Sequence, residues 1–220
     1  AVVAAAVRYL RAKGAGEIRT FTIDFPNTPF YNGLYGGEKA GMDERHPLGQ
    51  EIFRAASFVL AAEAIIMTCE FRDPIDPPVL PPGLRLSVAP WESAFTLPGA
   101  ARAYGIPEPI RQGEILDEAG KVLAHLVFWH LARYNRITGA RIAVVSHVCA
   151  PVEARGTGVA ACLQRSVHHL LYQEGAREMG LGVAAGNARA IRFYEKMGYR
   201  ALRRAFQFSL ETPPPGGQTP

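Results

Sequence analysis

The sequence has few cysteines, and they form no recognisable pattern. The three, Cys69, Cys149 and Cys162, show neither CxxC spacing nor an arrangement typical of a metal site. Sparse, unpatterned thiols are typical of a reducing compartment, whereas small secreted disulfide scaffolds are rich in cysteine. We therefore expect a cytoplasmic protein with no disulfide framework and no bound metal.

Long apolar runs are also missing. The opening stretch, AVVAAAVRYLRAK, is too short to span a bilayer, and its positive charges follow the apolar part instead of preceding it. This pattern predicts a short surface helix. We expect no membrane partner.

Dense basic segments are absent as well. The formal net charge is +4, from 24 basic and 20 acidic residues, without a lysine- and arginine-rich run. Such a mild charge suits an anionic ligand, whereas nucleic-acid binding calls for clustered basic residues interleaved with aromatics. We expect no nucleic-acid partner. With 48% hydrophobic and 20% charged residues, the 220-residue chain has the composition of one soluble α/β domain.

A glycine-containing turn before a helix predicts an anion-binding site. The strand-like segment 141–148 is followed by Pro151 and then by RGTGVA at 155–160, where a helix begins. Glycine lets the backbone approach a ligand closely, and the free N–H groups of a first helical turn can bind phosphate. Turns of this kind are often only structural, so the ligand has to be identified from other residues.

A second motif, NARAIRFYEKMGY at residues 187–199, supplies that information. Together the two motifs resemble those of the Gcn5-related N-acetyltransferase (GNAT) family, which are R/Q-x-x-G-x-G/A and N-x-x-A-x-x-F-Y-x-x-x-G-F/Y. The first is matched by Arg155, Gly158 and Ala160, and the second by Asn187, Ala190, Phe193, Tyr194, Gly198 and Tyr199. The resemblance covers about sixty residues. The family usually has a proline three residues before the arginine, whereas Pro151 lies four before Arg155, so we expect a turn one residue longer.

The resemblance implies an N-acetyltransferase that moves an acetyl or other acyl group from acetyl-CoA to a primary amine by direct attack in a ternary complex. Tyr194 is then expected to protonate the departing thiolate, because a phenol has a suitable acidity. The remaining implied site residues hold the co-substrate: Val148, Cys149 and Ala150 along the pantetheine arm, Arg155, Gly156, Thr157, Gly158, Val159 and Ala160 at the pyrophosphate, and Asn187, Ala190, Phe193 and Lys196 on the second motif.

Several alternatives stay open. The amine could lose its proton to His147, to Glu153 or to a chain of waters, although a strand-edge histidine and a solvated turn carboxylate are the simpler interpretations. Tyr194 could be only a core aromatic. A non-catalytic acyl-CoA-binding regulatory module is a further alternative, which loss of the proton donor would have favoured. The acceptor could be a small molecule or a peptide, and a homodimer is compatible with the sequence. A kinase-type phosphate loop is disfavoured, because the Gly-Lys-Ser/Thr sequence is missing.

The fold implied by the resemblance is a mixed, mainly antiparallel α/β (α+β) sheet that splays between its fourth and fifth strands, with helices on both faces. We expect a single acyltransferase domain over 1–220. Its parts are a divergent section at 1–109 that shapes the acceptor side, a cofactor-binding core at 110–210 and a disordered tail at 211–220.

Periodicity predicts the individual elements. Strands are expected at 17–25, 84–88, 110–116, 122–132 and 141–148 and near 181–183, a loop at 30–49, a turn at 135–139, and a deeply buried helix from Gln50 to Phe71 on which Glu63 and Glu70 share a face. The helix after the glycines should present Val159, Leu163, Val167 and Leu170 to the core and Gln164, Arg165 and His168 to the other side. His125 and His130 should lie on opposite faces of their strand.

Overall fold

The computed structural model describes residues 2–20, 42–72, 76–91 and 110–211. Their helices are α1 (Val2–Ala12), α2 (Pro47–Ala55), α3 (Ala132–Thr138), α4 (Val159–Gln173) and α5 (Ala188–Lys196). Their strands are β1 (Glu17–Thr20), β2 (Met42–Asp43), β3 (Val59–Glu70), β4 (Arg85–Pro90), β5 (Arg111–Leu116), β6 (Val122–His130), β7 (Ile142–Cys149), β8 (Glu178–Ala184) and β9 (Arg200–Glu211). None of the described helices is long and apolar enough to cross a membrane.

The strands form one sheet in the order β1-β9-β3-β8-β7-β6-β5-β4, with β2 paired to β9. The pairs β4–β5, β5–β6 and β6–β7 are antiparallel, as are the pairs that β3 and β9 make. Among the described strands, β7 and β8 alone run parallel. The predicted mixed, mainly antiparallel sheet is confirmed.

The sheet opens between β7 and β8. These strands pair only at their first residues, Ile142–Val144 against Glu178–Gly180, although β7 continues to Cys149 and β8 to Ala184. Beyond the paired part the two strands separate, and the turn that follows β7 leads to the start of α4 at Val159. The predicted splay therefore lies where the sequence places the glycine turn.

The predicted helix from Gln50 to Phe71 is wrong over most of its length. The helix α2 ends at Ala55, Ser57 takes a left-handed φ of 66°, and β3 follows as an interior strand between β8 and β9. A strand buried among neighbours is apolar without a clear period, so it cannot be distinguished from a buried helix by pattern alone. The helical face predicted for Glu63 and Glu70 does not exist.

Three smaller predictions also need correction. The strand expected to reach residue 132 ends at His130. The turn expected at 135–139 is the last part of α3, which ends at Thr138 and is capped by Gly139 in a left-handed conformation. On α4, Gln164 and His168 are buried at 0% and 5% exposure instead of facing away from the core. The predicted strand residues 21–25 and most of the 30–49 loop lie outside the described residues.

The chain contains an internal structural repeat that is not evident from its sequence. Apart from the two-residue strand β2, the order helix, strand, helix, strand occurs as α1-β1-α2-β3 and again as α4-β8-α5-β9. The second helices of the two copies have 9 residues each, and the last strands have 12 each. We call residues 2–20 and 46–70 the N-terminal repeat, and residues 163–181 and 187–211 the C-terminal repeat.

Matching hydrogen bonds fix the correspondence residue by residue. Phe58 N–H donates to Phe53 C=O as Tyr199 N–H donates to Tyr194 C=O, and each pair of rings meets edge to face, at 5.2 Å and 5.6 Å. Ser57 and Gly198, which precede Phe58 and Tyr199, both have positive φ. In the first helices, Ala15 N–H donates to Leu10 C=O as Ala176 N–H donates to Leu171 C=O.

The two repeats exchange their last strands. The strand β9 pairs with β1 of the other repeat, and β3 pairs with β8 of the other repeat. The registers agree at every step, Glu17↔Glu211 through Thr20↔Phe208 in one and Glu178↔Glu70 through Leu181↔Met67 in the other. An approximate twofold axis therefore runs between β3 and β9, and the N-terminal repeat completes the sheet beside the opening at β8.

Candidate active site

A cavity of about 660 Å³ lies at the opening between β7 and β8. It is lined by the end of β7, the turn that follows it, the first turn of α4 and one side of α5. The lining residues are Val148, Cys149, Ala150, Ala154, Arg155, Gly156, Gly158, Ala160, Ala161, Asn187, Arg189, Ala190, Phe193, Tyr194 and Lys196. The two sequence motifs thus meet in one cavity.

The glycine turn offers unpaired backbone donors to this cavity. The first hydrogen bond of α4 runs from Cys162 N–H to Gly158 C=O, at 2.9 Å. The N–H groups of residues 158–161 donate to no described residue. Gly156 and Gly158 have φ of 84° and 89°, which other residues rarely adopt. Free N–H groups at the start of a 15-residue helix, whose first turn has no acidic residue, can bind an anion.

The turn between β7 and α4 is built around Pro151 and Arg155. A single 3-10 turn, Val152–Ala154, lies between these two residues. The Arg155 Nε donates to Ala150 C=O at 3.2 Å, and the Thr157 hydroxyl donates to Ala154 C=O at 2.7 Å. These bonds tie the turn to the end of β7, which fixes the wall formed by Val148 and Ala150 relative to the N–H groups of α4.

The strand β7 is irregular just before this wall. Its register with β6 shifts between the pairs His125↔Cys149 and Val127↔Ser146, and His147 has a φ of 52°. The His147 Nδ1 lies 2.6 Å from the Ser146 hydroxyl, and its ring lies 5.7 Å from that of Trp91. A non-glycine residue held in a left-handed conformation is strained, and such residues concentrate at functional sites.

The cavity is cationic. Arg155, Arg189 and Lys196 line it and are exposed, and no lining residue among those described is a carboxylate. The nearby Glu153 is exposed and forms an ion pair with Lys121 at 3.0 Å. Its hydrogen bond to its own backbone, together with Lys121, lowers the pKa of Glu153. An anionic ligand therefore fits this cavity, and Glu153 is a poor general base.

The second motif contributes side chains from α5. Asn187 caps the helix by accepting a hydrogen bond from Ala190 N–H at 3.1 Å, which explains the asparagine at this position. Tyr194 is buried at 9% exposure, and its ring meets the rings of Phe193 and Tyr199 edge to face. Tyr194 is thus held by aromatic packing at the wall of the cavity.

A buried polar cluster supports Tyr199 from behind. The Gln164 amide donates to the Tyr199 hydroxyl at 2.8 Å, and the His168 Nε2 lies 2.9 Å from the same oxygen. Burial raises the pKa of Tyr199 well above its usual range and lowers the pKa of His168 from 6.5 to about 4. Both groups are therefore neutral at pH 7, and the cluster holds α4 to the start of β9.

Most of the predicted site residues lie together. Thr157 and Val159 do not line the cavity, since the Thr157 hydroxyl is bonded within the turn and Val159 is buried in the core. Sequence reasoning missed Ala154, Ala161 and Arg189, although all three stand inside or beside the motifs. No group of three metal-ligating side chains occurs in the part of the chain that the structure describes. His130 instead lies 2.8 Å from Glu174, which Arg111 also contacts.

Comparison with known proteins matches residues 125–207 to the family model described as FR47-like protein. A comparison with curated protein sequences found no match. Among solved structures, a tandem GNAT protein from the clavulanic acid biosynthesis pathway has a TM-score of 0.67 at 14% identity, over 97% of this chain and 69% of that one. A GCN5-related N-acetyltransferase from Sphaerobacter thermophilus has a TM-score of 0.57 at 15% identity, over 78% of this chain.

A glucosamine N-acetyltransferase region of a fungal multi-domain GH3 β-N-acetylglucosaminidase has a TM-score of 0.60 at 15% identity, over 94% of this chain. The chain spans 58% of the Sphaerobacter protein and 27% of the fungal one. At these identities the likeness shows the fold. With the family-model match over residues 125–207 and both motifs in one cavity, the chain is similar to the Gcn5-related N-acetyltransferases and has their fold.

Proposed function

We propose that the protein is an N-acyltransferase that uses acetyl-CoA, or a related acyl-CoA, and a primary amine. The observation that supports this most is the cavity at the β7–β8 opening, where unpaired backbone donors, cationic side chains and Tyr194 come together. The acceptor is a small-molecule or peptide amine, and no metal takes part in the proposal.

The residues present fit the anionic part of an acyl-CoA. The N–H groups of residues 158–161 would bind the pyrophosphate, which Arg155, Arg189 and Lys196 would further neutralise. Val148 and Ala150 provide an apolar wall for the pantetheine arm beside the unpaired half of β8. The bound co-substrate supplies an activated thioester.

In the proposed reaction the acceptor nitrogen attacks the thioester carbonyl carbon, so that a C–N bond forms and the C–S bond breaks. The Tyr194 hydroxyl donates its proton to the departing thiolate, for which a phenol is acidic enough, and the phenolate is reprotonated by the proton that the nitrogen releases as the amide forms. Because a free alkyl ammonium has a pKa of about 10.4, the acceptor must lose a proton before it attacks.

The structure favours His147 over Glu153 as the base that removes the proton from the acceptor amine. An imidazole titrates near neutral pH, which suits a general base, and His147 sits in a strained bulge immediately before the wall residue Val148. Glu153 is paired with Lys121, which makes it a weaker base. We therefore assign amine deprotonation to His147.

Calorimetry with acetyl-CoA tests the proposed site, with Gly158→Leu and Gly120→Leu as matched variants. Both glycines have φ above 80°, and an added Cβ meets no atom within 4 Å at either, but only Gly158 lines the cavity. Both variants should therefore be similarly strained. We expect Gly158→Leu to weaken binding at least about tenfold, because the side chain obstructs the backbone donors, and Gly120→Leu to bind normally. Equal affinities in both variants, or no binding by the parent, would contradict the proposal.

A further inference from the structure

Tyr199, whose ring packs on that of Tyr194, is anchored through its hydroxyl. The Gln164 Nε2 donates to this hydroxyl at 2.8 Å, and the His168 Nε2 lies 2.9 Å from it. The hydroxyl itself donates to the Met179 Sδ at 2.8 Å. Because Gln164 and His168 belong to α4 and Met179 belongs to β8, two elements that border the opening hold the residue that follows α5. We call Gln164, His168 and Tyr199 the Tyr199 cluster.

Burying the polar side chains of the Tyr199 cluster costs stability. Gln164 is 0% exposed and His168 is 5% exposed. The Gln164 Oε1 has no hydrogen-bond partner among the described residues, and turning the amide around would leave its nitrogen without one instead. A buried polar atom without a partner destabilises a protein, whereas apolar side chains fill a core without that loss. The stability of the fold therefore does not explain why these polar side chains are present.

The N-terminal repeat builds the same arrangement from apolar side chains. In chain order, the residues that correspond to the Tyr199 cluster are Val3, Val7 and Phe58. Val3 and Val7 are half-buried and pack against the core cluster that contains Phe58. Phe58 meets the ring of Phe53, the counterpart of Tyr194, edge to face at 5.2 Å. The packing of these rings therefore needs no hydroxyl, and the polar side chains occur in the repeat that has the active-site tyrosine.

We infer that the members of the Tyr199 cluster are positioning residues for Tyr194, which rests on the proposed acyl transfer. Because its hydroxyl has partners on α4 and β8, the Tyr199 ring is restrained from rotating or shifting, and the Tyr194 ring packs on a fixed surface. A general acid must be held close to its productive geometry, and a displacement of about 1 Å can lower a rate about 10²-fold. Phe53 has no proton to deliver, so its partner Phe58 needs no anchor.

The Tyr199 hydroxyl is not a second proton donor. Tyr199 is 3% exposed and is not one of the residues that line the cavity. Burial raises the pKa of Tyr199 well above its usual range, and the neighbouring Cys69 and Tyr194 raise it further. Tyr199 therefore stays protonated when Tyr194 gives its proton to the thiolate, and it acts on the reaction through the position of Tyr194.

Thiol-release kinetics test this assignment, with acetyl-CoA and the best acceptor among an amino sugar, an arylalkylamine, a polyamine and a lysine peptide. The triple variant Gln164→Val, His168→Val, Tyr199→Phe installs the side chains of the N-terminal repeat, so we expect it to fold. Its kcat should fall at least about tenfold, while the Kd for acetyl-CoA changes less than about threefold, because none of the three residues lines the cavity. Ser166→Ala is the matched control. Ser166 is buried on the same helix, but its hydroxyl donates to Cys162 C=O, so kcat should not change.

A double-mutant cycle distinguishes positioning from a general loss of structure. In the Tyr194→Phe background, the same three replacements should lower kcat less than about twofold, because the proton donor is already gone. A full further loss in this background would overturn the inference, as would a folded triple variant that transfers acyl groups at the parent rate. A triple variant that does not fold would show that the cluster is needed for the fold, and would also overturn it. If the parent acylates none of the amines, the proposed function fails and the inference fails with it.

Discussion

The buried histidine of α4 should make the protein less stable in mild acid. His168 is 5% exposed, and its Nε2 faces the Gln164 amide nitrogen at 3.0 Å and the Tyr199 hydroxyl at 2.9 Å. A neutral ring can accept a hydrogen bond at Nε2, whereas a protonated ring would direct an N–H at the Gln164 amide donors. Burial, with a smaller contribution from Arg165, lowers the pKa of His168 from 6.5 to about 4.

The direction of this change in stability with pH follows from how many protons the folded and unfolded states bind. Between pH 6.5 and pH 4 the unfolded chain holds a proton at His168 that the folded chain does not, so the unfolded state gains stability as the pH falls. The contribution of His168 is fully present above pH 6.5 and is lost as the pH drops toward 4. A shift of this size corresponds to about 3 kcal/mol over the whole window and roughly 2 kcal/mol at pH 5.

Urea denaturation at pH 7.5 and pH 5 measures the effect, with His168→Gln as the variant that cannot titrate. We expect the free energy of unfolding to fall between the two pH values by roughly 2 kcal/mol more in the parent than in His168→Gln. The neighbouring His169 is only half-buried, so His169→Gln should keep the parent's pH dependence. If the parent and His168→Gln lose the same stability on acidification, the buried neutral imidazole is not the cause.

Two further predictions concern the active site. Replacing His147 by Asn, which also tolerates a left-handed φ, should lower kcat/KM at pH 7 by about 10² to 10⁴. It should also remove the acidic limb of the pH–rate profile. If the variant keeps the parent's profile, His147 does not deprotonate the amine and water is the base. Lys196→Glu should weaken acetyl-CoA binding at least about tenfold at low salt, because it places a negative charge at the wall of the cavity. Arg192→Glu, an equal charge change on an exposed residue of α5 that does not line the cavity, should have little effect, and equal losses would contradict the cationic site.

The sequence predicted the active-site side of the fold well because its residues serve local geometry. Gly158 needs a positive φ, Asn187 caps α5, and the apolar stripe of α4 follows the helical period. Each of these local requirements selects particular residue types at a fixed spacing, which can be recognised in the sequence. These sequence features were enough to predict that the two motifs contribute to one site. The bulge at His147 was not predicted, since it depends on the pairing of β7 with β6.

The features of the fold that the sequence did not predict depend on contacts between distant parts of the chain. Val59 to Glu70 is apolar on nearly every residue, and only its place between β8 and β9 makes it a strand. Gln164 and His168 are polar, and only Tyr199, far along the chain, makes their burial favourable. The internal repeat was missed for a similar reason, because its copies share hydrogen bonds and register while most side chains, such as Phe53 and Tyr194, differ.

Tyr194 is the residue on which the proposed acyl transfer depends most directly, and Phe53 of the same chain supplies a control. Phe53 occupies the corresponding position of the N-terminal repeat and packs edge to face on Phe58, as Tyr194 does on Tyr199, so Tyr194→Phe should fold and bind acetyl-CoA normally. The decisive measurement is the rate of thiol release by Tyr194→Phe at saturating acetyl-CoA with an amine that the parent accepts. We predict a fall of about 10² to 10⁴, the usual contribution of a positioned general acid. A folded, acetyl-CoA-binding Phe variant that releases thiol at the parent rate would contradict the role assigned to Tyr194.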